Sequence, residues 1–222
     1  MLELNKIYNM DCLDGLRQLE SSSADCFITD PPYGMSFQSG YRQVEHKKIE
    51  GDDDLYWLGF LAYQMQRILK PNTHAYVFCS HHNIEVFLSE FRKRFTIKNV
   101  LVWQKNNTGM GDLSGDYAPK YEFIIYLNKG KRDLNGRRDS NILNFSRTDN
   151  ELHPTQKPTD LIRFLIEKST NKGDLVIDPF IGSGTSAEAC KQLSRNFIGF
   201  EVDESYCKVA EERLKQQILF SV

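Results

Sequence analysis

The sequence predicts an α/β fold: a mostly parallel sheet of seven strands, one of them antiparallel, with helices on both faces. Short β-branched and aromatic runs alternate with segments of helical period along the 222 residues, and such alternation lays strands parallel because each helix carries the chain back to the same edge. Two runs, 99–103 and 121–127, follow one another with only a polar loop between them, which predicts an antiparallel pair. With 40% hydrophobic and 26% charged residues, a chain of this length supplies one sizeable core, so residues 1–222 form a single domain.

The elements follow in order. "KIYNM" (6–10) reads as a short strand, "LDGLRQL" (13–19) as a turn or two of helix, and "DCFIT" (25–29) as a strand running into Pro31 and Pro32. A polar loop (34–54) leads to "LYWLGFLAYQMQRIL" (55–69), whose apolar residues recur at helical spacing until "KPN" ends them. "HAYVFC" (74–79) is a strand, "NIEVFLSEFRKRF" (83–95) an amphipathic helix, and "NVLVW" with "YEFIIYL" the hairpin. A helix over 159–169, a strand "DLVID" (174–178), a helix from about Thr185, a strand "NFIGFE" (196–201) and a helix from about Glu204 complete the pattern. No internal repeat or low-complexity tract interrupts it.

Composition narrows the function. The five cysteines are an odd number, widely spaced and without a CxxC pair, which argues against a disulfide framework and a structural zinc site and predicts reduced thiols. The first ten residues lack the features of a signal peptide, and no apolar run approaches the roughly 20 residues of a membrane span; the expectation is a soluble, cytoplasmic protein with no membrane partner. Net charge is −2, yet Lys129, Lys131, Arg132, Arg137 and Arg138 crowd into 128–139. Taken alone, such a run is more often a solvated loop than a binding surface.

Two strand ends carry chemistry. In "VIDPFIGSGTSAEACKQL" (176–193) a strand ends in Asp178, and Gly182 and Gly184 let backbone approach a ligand at a helix N-terminus. Glu201 ends the next strand, where a carboxylate can accept from both hydroxyls of a ribose. An ordinary strand–helix crossover with a capping acid is the plainer reading. The turn has neither GxGxxG nor a Walker lysine, so a nucleoside without phosphate fits better than a dinucleotide or triphosphate. In "FITDPPYGM" (27–35) the Asp30 carboxylate and the Pro31 carbonyl, held by stiff proline backbone, form two acceptors facing one point. Two acceptors can draw an exocyclic amine out of conjugation and free its lone pair to attack a methyl group, while Tyr33 offers a ring on which an extruded base can stack.

With these residues in view, the sequence resembles the S-adenosylmethionine-dependent DNA amino-methyltransferases of the beta class, whose motif order is circularly permuted and whose Rossmann-like fold it would share. "DPPY" (30–33) resembles the catalytic motif, "HPTQKP" (153–158) a motif near the cofactor, and "DPFIGSGT" (178–185) the methionine-binding motif, in the order that marks that class. The resemblance implies that Asp30, Pro31, Pro32 and Tyr33 hold and stack the target base. It implies that Asp30 also borders the cofactor, and that Asp178, Pro179, Phe180, Gly182, Ser183, Gly184 and Thr185 line it, with Glu201 on its ribose. Asp11 and Cys12 of "NMDCL" would lie by its adenine, and Lys157 would reach its carboxylate or support the loop. His153 would only orient that loop; His81 and His82 read as a helix entry, and no metal is required.

The resemblance further implies double-stranded DNA as substrate, bound through loops 34–54 and 128–152. Arg42, Lys47 and Lys48 in the first loop, and the five basic residues of the second, would contact phosphate. That second interval is short for a recognition domain, which suggests a short target or a homodimer sharing the duplex, and leaves open whether a cognate restriction endonuclease acts on the same site. Aspartate at position 30 leans toward adenine N6, with cytosine N4 as the alternative. Segment 102–123 resembles the border of the target-base pocket, with Tyr121 a wall and Trp103 rather in the core. A methyltransferase for RNA or a protein amide would more often begin its proline motif with asparagine, and a non-catalytic module would tend to lose Asp30 first.

Overall fold

The computed structural model describes residues 2–32, 56–109, 114–147 and 156–216. In chain order they form β1 (Lys6–Asn9), α1 (Cys12–Arg17), β2 (Ala24–Thr29), α2 (Tyr56–Ile68), β3 (Leu69–Cys79), α3 (Ile84–Arg92), β4 (Thr96–Gln104), β5 (Tyr121–Lys129), β6 (Ile142–Asn144), α4 (Thr159–Ser169), β7 (Leu175–Asp178), α5 (Thr185–Gln192), β8 (Asn196–Glu201) and α6 (Glu204–Gln216). One sheet takes all the strands in the order β1, β8, β7, β2, β3, β5, β4, β6. β5 runs antiparallel to β3 and β4, and the other neighbours are parallel, as the strand–helix alternation and the helix-free pair predict.

Among the described residues the sheet has eight strands, where the sequence predicts seven. The addition is β6, three residues inside the stretch read as a loop, which pairs with Val102, Trp103 and Gln104 at the sheet edge. With only Leu143 turned inward, it is too short to show a period. β3 also begins earlier than expected, directly after α2, because Leu69 pairs with Ala24 across an irregularity in β2.

Each face has its own core. α1, α2 and α3 lay Leu16, Leu58, Leu61, Met65, Phe87 and Phe91 on Phe27, Val77, Ile125 and Phe200, while α4, α5 and α6 lay Leu161, Leu165, Ile166, Ala187 and Cys207 on Ile28, Tyr76, Phe78 and Val176. Apolar cover on both sides explains why the central strands read as continuous hydrophobic runs. All five cysteines are buried free thiols. Among the described residues no helix is long and apolar enough to cross a membrane.

Strand direction fixes which residues can meet. β1, β8, β7, β2 and β3 deliver their C-terminal ends to one end of the sheet. β5 arrives there with its first residues, Phe123 opposite Cys79, and leaves with Lys129 opposite Thr73, six residues or about 20 Å down the strand. The turn after Lys129 is tied down at that far end. Asn135 bonds the Glu167 and Thr170 carbonyls at the end of α4, Lys168 pairs with Asp139, and the buried imidazole of His74 joins Ser169, the Tyr126 hydroxyl and the Arg132 carbonyl.

Candidate active site

At the C-terminal ends of the parallel strands lies a cavity of about 690 Å³, lined among others by Asp11, Asp30, Trp57, Phe180, Gly182 and Glu201. One wall is the turn from β7 into α5. Gly182 has φ +51° and Gly184 φ +82°, a backbone region that a side chain strains. At Gly182 a Cβ would meet nothing within 4 Å, whereas at Gly184 it would lie 2.8 Å from Ala210 Cβ of α6. The first glycine keeps the cavity open and the second lets the last helix close on the turn.

Carboxylates hold this turn. Glu201 accepts from Gly182 N at 3.0 Å and Asp203 N at 2.9 Å, and burial raises its pKa. Asp178 accepts from Ser186 Oγ at 2.5 Å and Phe180 N at 3.1 Å. Burial pushes its carboxyl up to about 7, against the lowering by those hydrogen bonds. Arg213 of α6 donates to the Ser183 carbonyl at 3.3 Å and to Thr185 Oγ1 at 3.1 Å, and pairs with Glu188. Sequence reasoning missed Arg213, which in the charged last helix carries no signal of its own. Asp11 caps α1 through Oδ1, which accepts from Leu13 N at 2.8 Å and Asp14 N at 3.3 Å, and it faces the cavity together with Cys12.

The other wall is the end of β2. Asp30 follows Thr29 directly, Pro31 is buried, and Pro32 is exposed at the cavity edge. Asp30 Oδ2 lies 2.5 Å from Lys157 Nζ, which lies 3.1 Å from Glu122 Oε2, and Glu122 Oε1 lies 2.6 Å from Lys105 Nζ. Burial would strip the proton from Lys157, yet Asp30 and Glu122 together outweigh it and hold the ammonium above its ordinary pKa. Burial likewise pushes Glu122 up, and Lys157 with Lys105 prevails and leaves it below the usual range. Lys157 lines the cavity and pairs with Asp30 there, a contact the sequence did not foresee. Glu122 and Lys105 were not foreseen, since each looks like an ordinary charge flanking a strand.

Pro179, Ser183 and Thr185 line the turn side. Tyr33, Arg42, Lys47, Lys48 and His153 lie outside the described residues. Trp103 is a core residue, 1% exposed, with its indole N–H on the Phe145 carbonyl at 2.8 Å. His81 and His82 lie ahead of α3 with tilted rings whose centroids are 3.8 Å apart, and the His81 ring lies 6.3 Å from the Tyr121 ring. The second basic loop starts at the far end of the sheet. Lys131, Arg132, Arg137 and Arg138 follow Lys129 at the opposite end of the sheet, and the Lys129 ammonium is bound to the Gln66 and Leu69 carbonyls. β5 runs against its neighbours and carries the chain away from the cavity, and β6, parallel to β4, brings it back toward that end along the sheet edge.

An α/β sheet with a glycine turn at one strand end, an acid at the next and a proline-stiffened acid facing them defines a class of nucleoside-binding enzymes. A family profile described as DNA methylase matches residues 24–212, and the chain belongs to that family. It is similar to the type II methyltransferase M.HpaI of Haemophilus parainfluenzae, with 28% identity over 93% of this chain and 73% of that one. The type II methyltransferase M2.MboI of Moraxella bovis is also 28% identical, over 93% and 86%. Among solved structures, the complex of M1.HpyAVI with SAM has a TM-score of 0.71 at 30% identity, covering 94% of this chain and 98% of that one. PvuII DNA methyltransferase, cytosine-N4-specific, has a TM-score of 0.78 at 20% identity, covering 94% and 85%, a likeness of fold.

Proposed function

We propose that the protein transfers a methyl group from S-adenosylmethionine to the N6 amino group of adenine in double-stranded DNA, with the target base turned out of the duplex. The observation that carries this reading is that Asp30, at the end of β2, lines the same cavity as Gly182, Asp178 and Glu201 at the ends of β7 and β8. An amine acceptor and a nucleoside cradle thereby share one space. When bound, the cofactor supplies an electrophilic methyl on a sulfonium. The residues fit such a group: Glu201 presents a carboxylate to ribose hydroxyls, Phe180 and Trp57 offer apolar walls, and Asp178 is a buried acid beside the turn that a cationic amino group would compensate. Asp30 and the Pro31 carbonyl accept from the target amine and turn its lone pair toward the methyl. Aspartate at position 30 supports adenine as the base. Arg42, Lys47 and Lys48, which follow Asp30 closely in the chain, and the basic residues of 128–152 are the candidates for phosphate contact.

Base-resolved mapping of DNA from cells expressing the protein tests this directly. N6-methyladenine at a short recurring sequence is expected. N4-methylcytosine in its place would overturn the adenine assignment, and unmodified DNA would overturn the reaction.

Asp178 gives a second, independent check. A carboxyl raised to about 7 is largely protonated at pH 6, and a bound cation favours its ionised form. Cofactor binding should therefore release up to about one proton at pH 6 and almost none above pH 8, read by calorimetry in two buffers of different ionisation enthalpy. For the free protein the sign is also set. A raised carboxyl contributes its stability fully below the unfolded pKa and loses it as pH rises through about 7. Asp178→Asn should flatten both dependences.

A further inference from the structure

Four charged side chains alternate in sign away from the cavity: Asp30 after β2, Lys157 before α4, Glu122 at the start of β5 and Lys105 after β4. Lys157 is 8% exposed and Lys105 15%. Each ammonium also lies over an aromatic ring, Lys157 at 5.2 Å from Phe78 and Lys105 at 5.1 Å from Trp103. Stability alone does not demand this arrangement, since a buried ion pair is commonly neutral or worse than an apolar replacement of the same volume. Its geometry matters because one ammonium is shared between two carboxylates, one of which faces the cavity. The Cys79 thiol senses both: burial first, then Asp30 and Glu122, push it up to about 12.

Resting on the assignment of Asp30 above, we propose that Glu122 is a positioning residue for methyl transfer: by sharing Lys157 with Asp30, it fixes the orientation of the Asp30 carboxylate that receives the target amine. Lys105 completes the arrangement by holding the far oxygen of Glu122. Without the Glu122 charge, Lys157 turns wholly to Asp30 and competes with the amine for the carboxylate. With one anion fewer beside it, Lys157 also gives up its proton at lower pH.

The test compares Glu122→Gln and Glu122→Asp with wild type, in the full chain, on the DNA that wild type methylates. Glu122→Gln is expected to lower the single-turnover rate at least tenfold and to move the alkaline limb of its pH profile downward, with cofactor Kd within twofold. Glu122→Asp should recover part of the rate, because it restores the charge. Should Glu122→Gln not fold, the double variant with Lys105→Met, which also removes the stranded cation, takes its place. A rate within twofold of wild type with an unmoved alkaline limb would overturn the proposal, whatever the change in Tm. So would a rate loss matched by lost cofactor affinity and not recovered by aspartate. A wild type that modifies no base in DNA overturns the function above and this role with it, whereas an active wild type with an insensitive Glu122→Gln overturns this role alone.

Discussion

Asp30→Ala should slow methyl transfer by roughly 1,000-fold, about 4 kcal/mol in the barrier, while the cofactor Kd stays within a few-fold of wild type. The effect is large because, in the proposed mechanism, the carboxylate accepts from the reacting amine, and its loss leaves the Pro31 carbonyl as one acceptor of two. Binding is spared because the residues around the turn, Asp178, Gly182 and Glu201, are held by hydrogen bonds in which Asp30 has no part. The fold should survive as well, since Lys157 keeps Glu122 as its counter-charge. Asp30→Asn sharpens the result: it keeps the shape and one carbonyl acceptor but loses the charge that matches Lys157, and should recover little. Single-turnover rates and titration calorimetry separate the two quantities. Parallel losses in both would contradict the assignment.

Gly184→Val should be the most damaging change in the cofactor turn. A β-branched residue at φ +82° costs about 1–3 kcal/mol in the backbone. Its Cβ would also press on Ala210 at 2.8 Å from Cβ and 3.2 Å from Cα, which adds about 1–3 kcal/mol of overpacking. Because Ala210 belongs to a helix, relief requires α6 to move, and with it Arg213, which grips the Ser183 carbonyl. The expected outcome is a fall of about 2–6 kcal/mol in unfolding free energy by urea denaturation, with cofactor affinity lost. Gly182→Ala is the contrast. At φ +51° with nothing within 4 Å of its Cβ, it should cost only the backbone share, so its defect should appear in affinity more than in stability.

Much of this molecule can be read from its sequence, for reasons that differ by element. The central strands announce themselves because both faces are covered, which leaves unbroken apolar runs such as 75–79. The turn at Gly182 and Gly184 is legible because its conformation needs glycine, and the acids at 30, 178 and 201 because they end strands. What escaped was whatever depends on a partner distant in sequence. Glu122 and Lys105 gain meaning only when β5 folds back beside β3, and Arg213 only when α6 closes on the turn. β6 has too few residues to declare a period. The basic cluster at 129–138 is of the same kind: composition gives its charge, but only the direction of β5 says at which end of the sheet it begins.

Arg213 also implies an order of events during synthesis. Asp30 leaves the ribosome early, yet β2 acquires its neighbour β7 only after residue 175, and β1 waits for β8. The turn whose carbonyl Arg213 holds is finished later still. A nascent chain halted before that arginine carries Asp30 opposite a glycine turn that α6 has not yet closed.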